Sequence, residues 1–273
     1  MKKLRRYIVP LVCLTLLLTW IHVSRLSHGH LVVNFLNVGQ GDSILIQTPS
    51  DKIILIDGGP GTSVLTELND VLPFLEKDID LMVLTHPHSD HIEGLVAVLK
   101  RYNVDAALIT GVSYTNSYYE EFLKDLPLEA DVYFASAEHD FDFGDGVFLD
   151  VLYPFDEISG KEFDNLNNSS IVIRLIYGDT AILLTGDAEI EVEEMLLAEG
   201  VLLSSDILKA GHHGSRTASS TAFVQAVSPG IVVIECGSDN SFGHPHDEAM
   251  TIFEEIGADV YRTDLDGRVT MVF

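Results

Sequence analysis

The stretch LTHPHSDH, residues 84–91, constrains this chain more than any other. It sets His86, His88, Asp90 and His91 within six positions, directly after the apolar run of residues 80–84, DLMVL. Two histidines spaced i, i+2 on extended backbone point to the same side, so both imidazoles reach one cation. Asp90 and His91 fall where a helix-like segment begins, EGLVAVLKRY, and turn toward a second cation nearby. Neutral imidazole and carboxylate are the donors that suit zinc, manganese or iron. The competing reading is a solvated loop in which Asp90 caps the following helix.

Two further strand ends carry ligand-type residues in order. LLTGDAE (183–189) closes an apolar strand on Gly-Asp and places the Asp187 carboxylate at a strand's C-terminal edge, where one carboxylate bridges two metals. LKAGHHGS (208–215) repeats the design with His212 and His213, flanked by glycines that let backbone approach closely. Each alone reads equally well as a turn. Three in succession argue against chance.

The surrounding pattern says what scaffold presents them. LVVNFLN, SILIQT and KIILID are short, β-branched and separated by Gly-rich turns, which reads as an antiparallel meander. Residues 63–77 have helical spacing despite Pro73, DLMVLT is a buried strand, and DAALIT and NSYYEEFLKDL follow as strand and helix. The second half begins with strands again, including a hairpin over 170–187 that turns at Gly178-Asp179, and then alternates helix and strand to the end. Two similar batches without a strict βαβ rhythm predict an α/β (α+β) fold, a four-layer αββα sandwich. With no linker visible, residues 30–273 are expected to form one domain.

Residues 1–29 stand apart. Four basic residues (Lys2, Lys3, Arg5, Arg6) precede an apolar run of about 17 residues from Tyr7 to Val23, an N-terminal apolar helix at the low edge of what spans a bilayer. The pattern predicts a signal-anchor that holds residues 30–273 outside the cell membrane, or a signal peptide whose cleavage leaves them secreted. Of 16 basic residues, five lie in this leader, which has no acid; the remainder sets 11 basic residues against 42 acidic ones, a net charge of about −31. Such a charge opposes extended binding to a polyanion. With only Cys13 and Cys236, one of them in the leader, the fold rests on its core and not on disulfides.

At this point the chain resembles the metallo-β-lactamase-fold hydrolases, whose signature is H-x-H-x-D-H, then a bridging Asp, then a late His. More narrowly, FLNVGQGDSILIQT (35–48), ILIDGG (54–59), NNSSIVIRL (167–175), LLTGD, LKAGHHGS and FGHPH (242–246) resemble, in order, the hydrolase domain of the ComEC competence proteins and its stand-alone relatives. The resemblance covers residues 31–273. It implies His86 and His88 on one metal, Asp90 and His91 on the other, Asp187 between them and His213 completing the second site, with His212 facing substrate; the two late histidines are interchangeable at this stage. It implies Asp57 as a carboxylate that orients the ligand loop. Two departures stand out: NNSS occupies the region where many members place a third histidine for the first metal, making Asn168 or water the stand-in, and His88 replaces the usual aspartate of the ComEC proteins. His244 and His246 are placed at the rim of the site or, in the bland reading, in a turn before the helix that Asp247 caps. Gly39, Gly41 and Asp42 read as turn residues. Lys209 and Arg216 are rare cations that would hold an anionic group.

The resemblance implies two divalent metals, zinc or manganese, and metal-assisted hydrolysis with Asp90 or Asp187 orienting the nucleophile, His212 at the reacting group and His244 touching substrate as a further catalytic candidate. The leading expectation is an extracytoplasmic phosphodiesterase or nuclease acting on a phosphodiester or other small anionic substrate, short or single-stranded DNA included. Alternatives are a phosphocholine or envelope phosphoesterase, a β-lactamase-like amide or ester hydrolase, and a non-enzymatic binding module, which metal-dependent turnover would separate. Nothing points to an obligate protein partner.

Overall fold

The computed structural model describes residues 2–23, 25–73 and 75–273. A first sheet is built from β1 (Val32–Phe35), β2 (Ile44–Gln47), β3 (Ile53–Ile56), β4 (Asp78–Leu84), β5 (Asn103–Ile109) and β6 (Asp131–Phe134). A second contains β7 (Phe141–Asp142), β8 (Val147–Tyr153), β9 (Val172–Tyr177), β10 (Thr180–Leu184), β11 (Ile207–Lys209), β12 (Ile231–Ile234) and β13 (Asp259–Arg262). The last strand, β14 (Val269–Val272), returns to the first sheet and pairs antiparallel with β1, so each sheet has seven strands.

Period-2 alternation separates the layers. Leu45, Leu55, Met82 and Ala107 point away from the second sheet and pack under the helices α2 (Ser63–Val71), α3 (Ser89–Leu99) and α4 (Ser117–Glu129). Their neighbours Ile44, Ile46, Ile54, Ile56, Leu81 and Val83 face inward against Val147, Leu149, Ile173, Leu175, Ile182 and Val233. On the far side Leu183, Leu208 and Val232 lie under α5 (Ile190–Glu199), α6 (Thr221–Val227) and α7 (Asp247–Glu255). Helix, sheet, sheet, helix is the four-layer arrangement expected, because each sheet has two apolar faces to cover.

The meander of β1, β2 and β3 forms as predicted, as does the β9–β10 hairpin, with Gly178 at φ 58° in its turn. Three readings need correction. The helix expected over 63–77 ends at Leu72, whose ψ of 150° is the extended backbone that a following proline enforces; residue 74 of that expected helix lies outside the described residues. Strand β6 was not anticipated: it is an exposed edge, so its side chains show no buried alternation to read. A helix does form at the N-terminus, α1 (Lys2–Val23), but the expected membrane anchor is not supported: among the described residues no helix is long and apolar enough to cross a membrane. The physical reason is length and composition. About 17 apolar positions rise only about 25 Å, less than a hydrocarbon core of roughly 30 Å, and Thr15 and Thr19 interrupt the run.

What positions the site is strand polarity. β3 runs parallel to β4, and β10, β11 and β12 run parallel to one another. The segments leaving their C-terminal ends, at residues 57, 85–91, 185–187, 210–214 and 235, therefore gather on one edge of the sandwich.

Candidate metal centre

Close backbone packing seats the HPHSDH loop. Gly58 and Gly94 meet face to face: the N–H of Gly58 donates to His91 O at 2.7 Å and that of Gly94 to Gly59 O at 3.0 Å. A Cβ on Gly94 would lie 1.9 Å from Gly58 O, so nothing larger fits. The start of α3, carrying Asp90 and His91, is thereby pressed onto the end of β3. Opposite it, β11 ends in a tight turn with His212 at φ 47° and His213 at φ 56°. Two successive left-handed residues are uncommon, and they splay the rings to an angle of 63°.

The histidines are oriented by hydrogen bonds on Nδ1. That of His91 donates to Asp57 Oδ2 at 2.8 Å; the same carboxylate accepts from Thr85 Oγ1 at 2.6 Å and, through Oδ1, from Thr85 N at 2.9 Å. With the Thr85 hydroxyl donating to Asp57, its oxygen accepts from His86 Nδ1 at 3.2 Å. His213 Nδ1 donates to Glu235 O at 2.9 Å and lies 3.1 Å from Asp42 Oδ1, while His212 Nδ1 lies 2.9 Å from Glu189 Oε1. Each anchored Nδ1 leaves the other ring nitrogen with a lone pair facing inward.

Those nitrogens converge on Asp187. Its Oδ2 is 3.3 Å from His91 Nε2, 3.4 Å from His213 Nε2, and 3.9 Å from Nε2 of both His86 and His212. Asp90 Oδ2 stands 3.4 Å from His213 Nε2. One donor atom each from Asp90, His91, Asp187 and His213 fits within 4.8 Å. The test of fit is satisfaction: His91 Nε2, His213 Nε2 and Asp187 Oδ1 are buried yet take no hydrogen-bond partner. Buried polar atoms are rarely left so, and two orphaned imidazole nitrogens set 3.3 and 3.4 Å from one oxygen of a buried carboxylate fit the donor set of a divalent cation. His86 Nε2 and His88 Nδ1, 2.9 Å apart, extend this into a candidate di-metal site of His and Asp residues.

The electrostatics follow from burial and this crowding. Among the protein's own groups, burial opposes charge on Asp187, His213 and His91 alike, but their mutual attraction outweighs it, holding the carboxyl well below its usual range and both imidazoles well above theirs; a bound cation would take the place of those protons. Burial drives His86 well below the ordinary imidazole value, reinforced by His91. His244 is depressed to about 4 by burial and then by His213 and His212.

A cleft of roughly 230 Å³ opens over the donors, lined by Gln40, His88, Asp90, Asn167, Asp187, His212, His213, Phe242 and His244. It brings together most of the residues singled out from sequence, His244 included, but not all. Asn168 is turned away: its Nδ2 donates to Glu191, and its neighbour Asn167 faces the cleft, within 3.3 Å of His212. Lys209 is fully buried beneath the centre, paired with Asp42 and donating to Gly186 O at 3.0 Å, so it braces the ligand loops and does not line the cleft. Arg216 is exposed beside Glu248 at 3.5 Å. His246 Nδ1 accepts from Arg216 N at 3.1 Å, a turn contact. Sequence reasoning missed Asp42, Glu189 and Asn167 as supports. For Asp42 a signal existed: GQGD ends a turn on Gly-Asp as LLTGD does, and Gly41 is so close to Asp90 that a Cβ would lie 2.1 Å from its carbonyl oxygen.

Comparison with known proteins agrees with this geometry. Residues 36–237 match the family model of the metallo-β-lactamase superfamily. The chain is 28% identical over 276 residues to ComE operon protein 3 of Bacillus subtilis, covering 94% of this chain and 34% of that protein. It is 33% identical over 238 residues to competence protein ComA of Neisseria gonorrhoeae, covering 85% and 30%. It thus spans about a third of the length of the curated relatives it matches. Among solved structures, the metallo-β-lactamase fold protein YhfI of Bacillus subtilis superposes with a TM-score of 0.58 at 13% identity, over 89% of this chain and all of that one. The diiron β-hydroxylase CmlA of Streptomyces venezuelae gives 0.55 at 16% identity, over 89% and 54%. With its fold, its converging donors and most of its length matched, the chain belongs to the metallo-β-lactamase superfamily.

Proposed function

We propose that this chain is a metal-dependent phosphodiesterase that cleaves short or single-stranded DNA. The observation that carries the metal dependence is the convergence of Asp90, His91, Asp187 and His213, with buried, unpartnered polar atoms on His91, Asp187 and His213. The relatives, competence proteins and a recombination protein of Haemophilus influenzae, favour DNA as the substrate. A divalent cation held by these residues, zinc or manganese, supplies Lewis acidity, drawing charge from a phosphoryl oxygen and lowering the pKa of water.

The chain's own residues do the rest. Asp187 serves both halves of the donor set. Asp90, at the mouth of the cleft, orients the attacking water. His212 faces the cleft with Nδ1 held by Glu189 at 2.9 Å, the carboxylate-backed arrangement that steadies an imidazole while Nε2 takes up the proton released by the attacking water and passes it to the departing oxygen. His244 stays uncharged above about pH 4 and receives the substrate as a neutral hydrogen-bonding wall.

The net charge of −26 fits this reading only if the grip is local. Long duplex would require a row of cations; a single phosphodiester held by metal does not. The test is a panel of single-stranded oligonucleotide, long duplex, a small phosphodiester and a lactam, with the purified chain and added zinc or manganese. Cleavage of single strand and small diester, with a shallow salt dependence, is expected. Turnover of the lactam alone would overturn the proposal.

A further inference from the structure

Beside the metal cleft lies a larger groove of roughly 530 Å³, lined by His88, Tyr114, Glu162, Phe163, Asp164 and Asn165 among others. His88 belongs to both hollows, so the groove opens directly onto the candidate centre. Its two walls are loops tied together: Ser113 N donates to Lys161 O at 2.8 Å and Gly160 N to Gly111 O at 2.9 Å. Its base is a small apolar cluster of Val112, Ile158 and Leu166, with Phe163 packed against it. The Asn165–Asn167 turn forms the sill between groove and cleft. Asn165 Nδ2 donates to Glu189 at 2.8 Å and Asn167 Nδ2 to the same carboxylate at 3.0 Å, fixing that sill to the His212 support.

The chemistry of the walls is selective. Tyr114 is exposed, with its ring 6.1 Å from that of His88 and edge-on at 81°. Glu162 and Asp164 are exposed acids, and among the described residues lining the groove there is no Lys or Arg. A groove with two carboxylates and no cation repels a phosphate, so a phosphodiester at the metals cannot extend its backbone into it. What the groove accepts is a flat, uncharged, hydrogen-bond-donating group attached to that phosphate. An aromatic ring beside carboxylates is the environment in which a base stacks while its amino group donates to Glu or Asp.

We propose that this groove seats an unpaired nucleobase next to the scissile phosphate, with Tyr114 as its stacking wall. This rests on the phosphodiesterase reading and adds to it a physical cause for single-strand preference: a paired base cannot leave its helix to enter. The groove sorts the substrate, the phosphate going to the metals and the base to the aromatic, acid-lined pocket.

The experiment measures KM and kcat of the full chain, with manganese or zinc, on a short single-stranded oligodeoxynucleotide and on its fully abasic counterpart. Wild type is expected to show a KM roughly tenfold or more lower for the base-bearing strand. Tyr114→Ala should shrink that ratio severalfold and Tyr114→Phe should preserve it, which a merely structural role for this exposed loop would not produce. Equal KM for both strands in wild type, an undiminished ratio in Tyr114→Ala, or a preference for duplex or for an amine-bearing small diester would overturn the groove assignment while leaving phosphodiester hydrolysis standing. Failure of wild type to cleave any phosphodiester would overturn both.

Discussion

Replacing Asp57 by asparagine removes a charge without changing shape, and Asn tolerates the left-handed φ of 56° that this position adopts. The carboxylate accepts three hydrogen bonds, from Thr85 N, Thr85 Oγ1 and His91 Nδ1. An amide cannot accept all three. With its oxygen at the Oδ2 position it keeps His91 and the Thr85 hydroxyl, and its NH2 then faces the buried Thr85 N–H, donor against donor, at a cost of about 1–3 kcal/mol in stability. With the amide reversed, His91 must accept at Nδ1 and move its proton to Nε2, the atom aimed at Asp187, which blocks a metal lone pair. Losing such a support weakens metal binding roughly 10–100-fold, about 1.4–2.7 kcal/mol. Either route leaves a mark, so the variant should show a lower denaturant midpoint, a weaker metal affinity, or both. Competition with a chromophoric chelator measures the affinity, and urea unfolding monitored by circular dichroism measures the midpoint. Asp57→Asn with both quantities unchanged would refute the claim that this carboxylate orients His91.

Other perturbations have equally definite outcomes. Dialysis against a chelator should lower the thermal midpoint, and zinc or manganese should restore it, adding about 2.7 kcal/mol of stability at a metal concentration 100 times Kd; differential scanning calorimetry reads this, and an unchanged midpoint would count against a buried metal centre. Lys209→Met leaves Asp42 buried without its partner and should cost about 3–5 kcal/mol in a denaturant titration. Gly94→Ala forces a Cβ into Gly58 O and should destabilise the chain by several kcal/mol, whereas an exposed helical glycine would gain about 1 kcal/mol from the same change. Cys236, buried and with its thiol pushed up to about 12 by burial and then by Asp264, is thiolate to only about one part in ten thousand at pH 8. A thiol reagent should therefore label the exposed Cys13 alone in the native chain and both cysteines after denaturation.

The residues of the candidate centre were legible because their chemistry is local: His86, His88, Asp90 and His91 sit in one loop, and Asp187 and His213 each end an apolar strand. The layer pattern was legible for the same reason, since Ile44, Leu45 and Ile46 alternate between two cores within a single strand. What escaped depends on contacts distant in sequence. Whether Lys209 meets solvent or Asp42 is decided by how β11 and the turn between β1 and β2 are brought together, and no spacing within either segment records it. Asn167 and Asn168 are chemically identical, and only the 3₁₀ turn from Leu166 to Ser169 determines which one faces the cleft. The N-terminal helix was overread because basic residues before an apolar run are a charge pattern, whereas crossing a bilayer is a requirement of length.

The donor set is divided between two distant parts of the chain, His86 to His91 after β4 and Asp187 and His213 after β10 and β11. That division has a kinetic consequence. No segment of a partly folded chain owns more than a fragment of the cation's binding site, so the ion has little to hold until both sheets have docked. Contacts formed after the rate-limiting barrier leave the refolding rate untouched and slow unfolding instead. In stopped-flow denaturant jumps, added zinc or manganese should therefore leave the refolding arm in place and lower the unfolding arm, which makes the ion a latch on a finished structure and not a nucleus for its formation.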